Sequence, residues 1–307
     1  MRDPLNLFEV NPDVHVPAGI PLVAGLTGYS DPGSAVAEMT THLRSNLERT
    51  TVATFDTDEL FDYRARRPVM IFTETHLTEY HPSRLGLELA HDDMGQPFLL
   101  LSGYEPDFQW ERFVAAVLHL IGTFGVASVT WLNAIPMPVP HTRPIGVTVS
   151  GNRPELTEAL SAWRPTTQLP ANVLHLVEYR LQELGHPTAG LVLLVPHYLS
   201  DTEYPDASVA ALDALTAATG LMFPTDSLRE QGRTFLTRID AQIAENVELA
   251  KLVESLEQRY DSFMEGNTLR SAFADADGEL PSAESIAAEF EKFLAMRTPR
   301  DGETPIG

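Results

Sequence analysis

Gly190-Leu-Val-Leu-Leu-Val195 sets five aliphatic residues in a row between a glycine and a proline. A strand without polar alternation has both faces covered, as in parallel sheets layered between helices. The stretches 20–26, 51–55, 69–72, 97–101, 127–133 and 145–149 read as further strands, and 85–89 alternates strictly as a half-buried strand does. Apolar residues three and four apart predict helices over 34–47, 108–124, 172–184 and 207–219, the last three followed by Gly125, Gly185 and Gly220 in C-cap position. Strands alternating with helices of this length imply an α/β fold. The expected architecture is a three-layer αβα sandwich with a mostly parallel mixed sheet, in which the turn His91-Asp-Asp-Met-Gly95 joins at least one antiparallel pair.

The pattern changes after Pro224. Leu236, Ile239, Ile243, Val247, Ala250, Val253, Leu256, Tyr260 and Phe263 keep helical spacing, and Gly232 is the one glycine within 226–265. This predicts a long amphipathic helix, or two packed antiparallel if Gly232 breaks it. The expected division is an αβα core over 1–225 and a helical C-terminal appendage over 226–307. Within the appendage, 266–280 reads as a polar linker, Ser282 as the N-cap of a last helix and 298–307 as a disordered tail.

Charge and composition exclude several function classes. Forty-three acids against 21 bases give a net charge of -22, and no cluster of Lys and Arg is present to neutralise phosphates. Nucleic acid and anionic membrane surfaces are therefore excluded as partners. The only lysines are Lys251 and Lys292, so residues 1–250 hold neither a Schiff-base lysine nor a P-loop lysine. With no cysteine there is no disulfide, thiolate nucleophile or Cys-ligated zinc. No signal peptide or membrane span is legible, a cytoplasmic location is expected, and no motif implies a cofactor.

Three loops hold the candidate site residues. The turn 27–34 carries Gly28, Ser30, Asp31 and Gly33 into a helix N-terminus, where exposed N–H groups either bind an anion or are capped by the chain's own side chains. Pro136-Met-Pro-Val-Pro-His-Thr-Arg-Pro144 has four prolines in nine residues, which stiffen a loop carrying His141 and Arg143. Arg143 suits an anion clamp, an oligomer contact or an internal ion pair. His197 and Tyr198 follow the buried strand, where open α/β sheets place ligands. His76, Glu79 and His81 lack metal-ligand spacing, and Pro82 opposes the helix that would align them.

The chain resembles the proteasome assembly chaperone family, in its bacterial and archaeal branch. The resemblance rests on Gly25-Leu-Thr-Gly-Tyr-Ser-Asp-Pro-Gly33, Gly103-Tyr-Glu-Pro-Asp-Phe-Gln-Trp110, the proline loop, Val195-Pro-His-Tyr-Leu199 and Leu280-Pro-Ser-Ala-Glu284. It implies an αβα core similar to nucleoside phosphorylases, a helical appendage and no accepted catalytic residues. The expected function is a non-catalytic assembly protein, homo-oligomeric, with an unidentified protein partner. The alternative is a nucleoside-phosphorylase-like enzyme or small-anion binder, with Gly28, Ser30 and Gly33 as the cradle and Arg143 and His197 completing the pocket.

Overall fold

The computed structural model describes residues 3–164 and 166–266. In chain order the elements are β1 (Phe8–Val10), β2 (Pro21–Thr27), α1 (Ala35–Asn46), β3 (Arg49–Phe55), α2 (Thr57–Leu60), β4 (Val69–Thr73), β5 (His76–His81), β6 (Leu85–His91), β7 (Pro97–Tyr104) and α3 (Trp110–Phe124). They continue as β8 (Ser128–Met137), β9 (Gly146–Gly151), α4 (Pro154–Leu160), α5 (Val173–Glu183), β10 (Thr188–Pro196), α6 (Pro205–Thr219), α7 (Asp226–Ala244) and α8 (Val247–Gly266).

Eight strands form one mixed sheet in the order β1-β3-β6-β7-β2-β8-β10-β9. The four central strands β7, β2, β8 and β10 are mutually parallel, and the margins are antiparallel. Five of the eight strands (β3, β7, β2, β8 and β10) run in one direction. Helices cover both faces. α1, α6, α7 and α8 share one apolar core, and α3 and α5 share the other.

β10 shows why its sequence does not alternate. Leu191, Leu193 and Val195 feed the first core, while Val192 packs against the second. Gly190, the third residue of this strand, is a glycine for a steric reason: a Cβ there would stand 2.4 Å from the ring of the buried Trp131. The indole N–H of Trp131 donates to Glu178 Oε2 at 2.7 Å, and Ser150 donates to the same oxygen at 2.8 Å. Burial pushes the Glu178 carboxyl above its ordinary range.

The structure departs from the sequence reading at three places. The prolines do not end the strand at Asn133: β8 runs through Pro136 to Met137, pairing Pro136 with Val195. β2 pairs with β8 only as far as Leu132, so β8 is open on that side and tolerates a residue without an N–H. Residues 69–72 are a strand, but not of the main sheet. They form an isolated two-stranded hairpin with β5, a strand the sequence reading did not include.

The long C-terminal helix does divide, but not at Gly232, which lies buried inside α7 with Asp206 where a Cβ would project. The break falls before Val247, where Asn246 Oδ1 accepts from the N–H groups of Glu248 and Leu249 at 3.1 and 3.2 Å. Side-chain capping of this kind starts a new helix more readily than a buried glycine ends one. Leu228, Phe235, Val253 and Leu256 of these helices belong to the same core as α1 and α6, and the Phe235 ring lies 5.3 Å from that of Tyr204. The sequence readings over 267–307, including the Ser282 cap, lie outside the described residues.

Replacing Gly190 by Ala forces the Trp131 ring from its place. Overpacking of this kind costs about 1–3 kcal/mol. Urea unfolding followed by tryptophan fluorescence is expected to show that loss, and an unchanged midpoint contradicts the Gly190–Trp131 packing.

Candidate functional site

The loops at the carboxyl ends of β2, β8 and β10 hold every candidate residue, but as two groups rather than one. Gly28 has φ +123, and a Cβ there would meet the Arg66 guanidinium at 2.5 Å. That guanidinium pairs with Asp107, donates to the Glu105 carbonyl at 2.9 Å and lies 5.3 Å from the Tyr104 ring centroid. Gly28 therefore makes room for Arg66. Ser30 borders a hollow about the size of one water molecule with Tyr29, Glu105, Asn133 and Asn172. Glu105 accepts the first N–H of α5, from Val173, at 2.6 Å, and burial pushes its carboxyl up. Asn172 caps the same helix through the His175 N–H at 3.0 Å.

Asp31 occupies the N-terminus of α1 itself. Its two carboxylate oxygens accept from Val36 and Ala37, each at 2.8 Å. The position where an anion would sit on the helix dipole is thus filled by the chain's own carboxylate, which burial pushes up. Gly33, at φ +71, is stitched to the segment after β10: its N–H donates to the Ser200 carbonyl and its carbonyl accepts from the Tyr204 N–H, both at 2.9 Å.

The second group joins the proline loop to the last two helices. The His141 backbone N–H donates to the Tyr198 hydroxyl at 2.7 Å, and the same hydroxyl lies 2.6 Å from His141 Nδ1. His141 Nε2 lies 3.0 Å from Asp240 Oδ1 on α7. The protons balance when the tyrosine donates to Nδ1 and Nε2–H donates to Asp240. Burial holds the Tyr198 hydroxyl well above its ordinary pKa, so it remains a donor. His197 is buried beside the Met137 carbonyl, with Nδ1 at 3.3 Å.

Arg143 grips α8 with a two-pronged contact. Its Nε and NH2 groups donate to the two Asp261 oxygens at 2.8 and 2.6 Å, and NH1 reaches Glu257 at 3.4 Å. Thr142 donates to the same glutamate. The pairing raises the Arg143 pKa and lowers that of Asp261. Arg143 and His141 border a cleft of about 530 Å³ against β9, α4 and α6. None of Gly28, Ser30, Asp31 and Gly33 lines it.

Asp240, Glu257 and Asp261 were missed by the sequence reading, as was the role of Arg66. Glu257 and Asp261 stand four residues apart on one helix, which places them on one face, so an acidic pair facing the basic proline loop was a usable signal. A larger cleft of about 690 Å³ lies elsewhere, between α1, β3, β6 and the base of the β4–β5 hairpin. Its wall carries Arg44 and Glu88, and Glu88 is matched by Arg44 at 2.9 Å and Arg49 at 2.6 Å. Among the described residues no cluster of three or more His, Asp or Glu is arranged to hold a metal ion, and His81 pairs with Glu79 in the open at 2.9 Å.

An αβα sandwich with internally bonded strand-end loops defines the structural class. The family model for the PAC2 family matches residues 25–243, and the chain belongs to that family. A Mycobacterium tuberculosis protein of unknown function is similar at 38% identity and TM-score 0.80, over 84% of this chain and 90% of that one. A Corynebacterium glutamicum protein of unknown function is 35% identical with TM-score 0.81, over 84% of this chain and 98% of that one. A M. tuberculosis proteasome-assembly chaperone homologue shares the fold at 24% identity and TM-score 0.69, over 76% of this chain and all (100%) of that one. No curated protein matches the chain.

Tyr198→Phe leaves the His141 backbone N–H and ring nitrogen without their partner. An unsatisfied buried polar group costs about 1–3 kcal/mol, so urea unfolding of this variant is expected to show that loss. Arg143→Ala and Asp261→Ala both remove the Arg143–Asp261 contact, so each is expected to accelerate amide exchange in residues 136–144 and α8, Arg143→Ala somewhat more because it also gives up Glu257. The double variant adds nothing further. Additive effects in hydrogen-exchange mass spectrometry contradict the pairing.

Proposed function

We propose that this chain is a non-catalytic assembly protein that recognises other protein chains and self-associates in the cytoplasm. One observation carries the reading: the groups that a small-anion pocket needs are already engaged within the chain. Asp31 takes the α1 N–H groups, Arg143 holds Asp261, and His141 lies between Tyr198 and Asp240. These bonds turn the strand-end loops into shaped, rigid surface. Membership of the PAC2 family and the shared fold with a proteasome-assembly chaperone homologue support the same reading. A net charge of -22 favours a partner with a basic docking surface. In this reading residues 1–225 form the scaffold, and the appendage that begins at residue 226 presents, through α7 and α8, the helical surface that the proline loop braces. Among the described residues no helix is long and apolar enough to cross a membrane.

The competing reading, a nucleoside-phosphorylase-like pocket, makes a measurable demand. A ligand present at a hundred times its Kd raises stability by about 2.7 kcal/mol. Thermal unfolding in inorganic phosphate, alone and with purine or pyrimidine nucleosides, is expected to show no saturable shift for the wild type or for Arg143→Ala. A saturable rise in the wild type that Arg143→Ala abolishes overturns the assembly reading.

A further inference from the structure

The main sheet has a row of small residues on the face it turns toward α1. There β7 places Phe98 and Leu100 in the core that α1 shares, and its next residue on that face is Ser102. Ser102 stands opposite Gly86 of β6, and Gly86 opposite Thr54 of β3. Directly paired residues share a face, so three neighbouring strands carry small side chains side by side. All three line the 690 Å³ cleft beside α1, which opens over this row. A cleft of that volume has the size of a binding site.

The cleft holds polar groups that the chain leaves unmatched. Ser102 is only 7% exposed, and its hydroxyl makes no hydrogen bond among the described residues. A buried hydroxyl without a partner is costly, and an occupant of the cleft would supply one. Arg67 and Arg84 stand in the wall, and their guanidinium groups have no hydrogen-bond or ion-pair partner among the described residues. Glu88, the one acid in the wall, is already matched by Arg44 at 2.9 Å and Arg49 at 2.6 Å. The free charge of the cleft is therefore positive, in a chain whose net charge is -22. At physiological ionic strength charges more than about 8 Å away are largely screened, so the two arginines decide what enters.

The donors select carboxylates over phosphate. A phosphate site draws on N–H groups at a helix start. The helix start in this wall is Thr57, and Asp56 already accepts from the Asp58 and Glu59 N–H groups there. Separate guanidinium forks suit planar carboxylates, which each can grip with two bonds. Ser102, Thr54, Thr51 and Ser83 add hydroxyls that both donate and accept, as the N–H and C=O groups of an extended peptide require.

We propose that this cleft docks an acidic, extended segment of a partner protein, with side-chain carboxylates held by Arg67 and Arg84 and backbone groups met by Ser102 and its neighbouring hydroxyls. The proposal rests on the reading of the chain as an assembly protein and adds the chemistry of one segment it recognises. The overall charge draws basic surface, and the cleft is where the sign reverses.

Isothermal titration of the full chain with a capped peptide of alternating glutamate and serine tests it. The wild type is expected to bind this peptide saturably, less tightly as salt is raised, and not to bind the matching peptide of glutamine and serine. Arg67→Gln and Arg84→Gln are each expected to weaken binding about tenfold or more, the loss of one charge-assisted hydrogen bond. Ser102→Ala is expected to weaken it with an unchanged melting temperature, because the hydroxyl has no partner within the chain to lose. Unchanged circular dichroism in all three variants separates a lost contact from a lost fold. Four outcomes overturn the proposal: no saturable binding of the glutamate peptide, equal binding of the glutamine peptide, binding that survives both arginine variants, or binding of citrate alone that those variants abolish, which assigns a small polycarboxylate instead. Each of them removes only the cleft from the assembly reading, which fails separately if no partner protein is held by the full chain.

Discussion

The strand β10 can exist only if both its faces are covered, and most of this structure follows from that requirement. Its aliphatic side chains enter both cores, so helices must lie above and below the central strands. The parallel pairing of β8 and β10 brings their carboxyl ends to one edge of the molecule. The chain has to leave that edge twice, once through the proline loop and once through His197–Leu199. Both exits are rigid: prolines restrict the first, and Tyr198 ties the second to it through His141.

This rigid edge also seats the C-terminal helices. Asp240 of α7 meets His141, while Glu257 and Asp261 of α8 meet Thr142 and Arg143. Exposed ion pairs alone stabilise little. The apolar contacts of Phe235, Val253 and Leu256 supply the burial, and the polar contacts fix the orientation. Acid–base pairs that might have opened toward a ligand instead set the register between a loop and two helices. In the proposed reading, a surface built this way serves recognition by shape and charge.

The sandwich was legible because its signals are local. Aliphatic runs, helical spacing and C-cap glycines each report on one element at a time. The apolar residues 69–72 look like any buried strand, since their composition says nothing about which sheet they join; only the pairing with 76–81 sets them outside the core. The division before Val247 was masked by Gly232, whose glycine answers to the neighbouring Asp206 rather than to a turn. The candidate loops were correctly placed at strand ends, but their partners lie about a hundred residues away in sequence, as Arg143 does from Asp261 and His141 from Asp240. Spacing within a motif cannot reveal such pairs. An acidic i, i+4 pair on a helix opposite a lone arginine in a stiff loop comes closest to a readable sign.

Native mass spectrometry of the protein captured from a lysate of its own cells tests the central claim most directly. The account predicts a second protein in fixed stoichiometry with this chain, released as salt is raised because acidic surface contributes to the contact. The chain recovered with a small bound mass in place of a protein partner would contradict it, and would return the strand-end loops to the role of a ligand pocket.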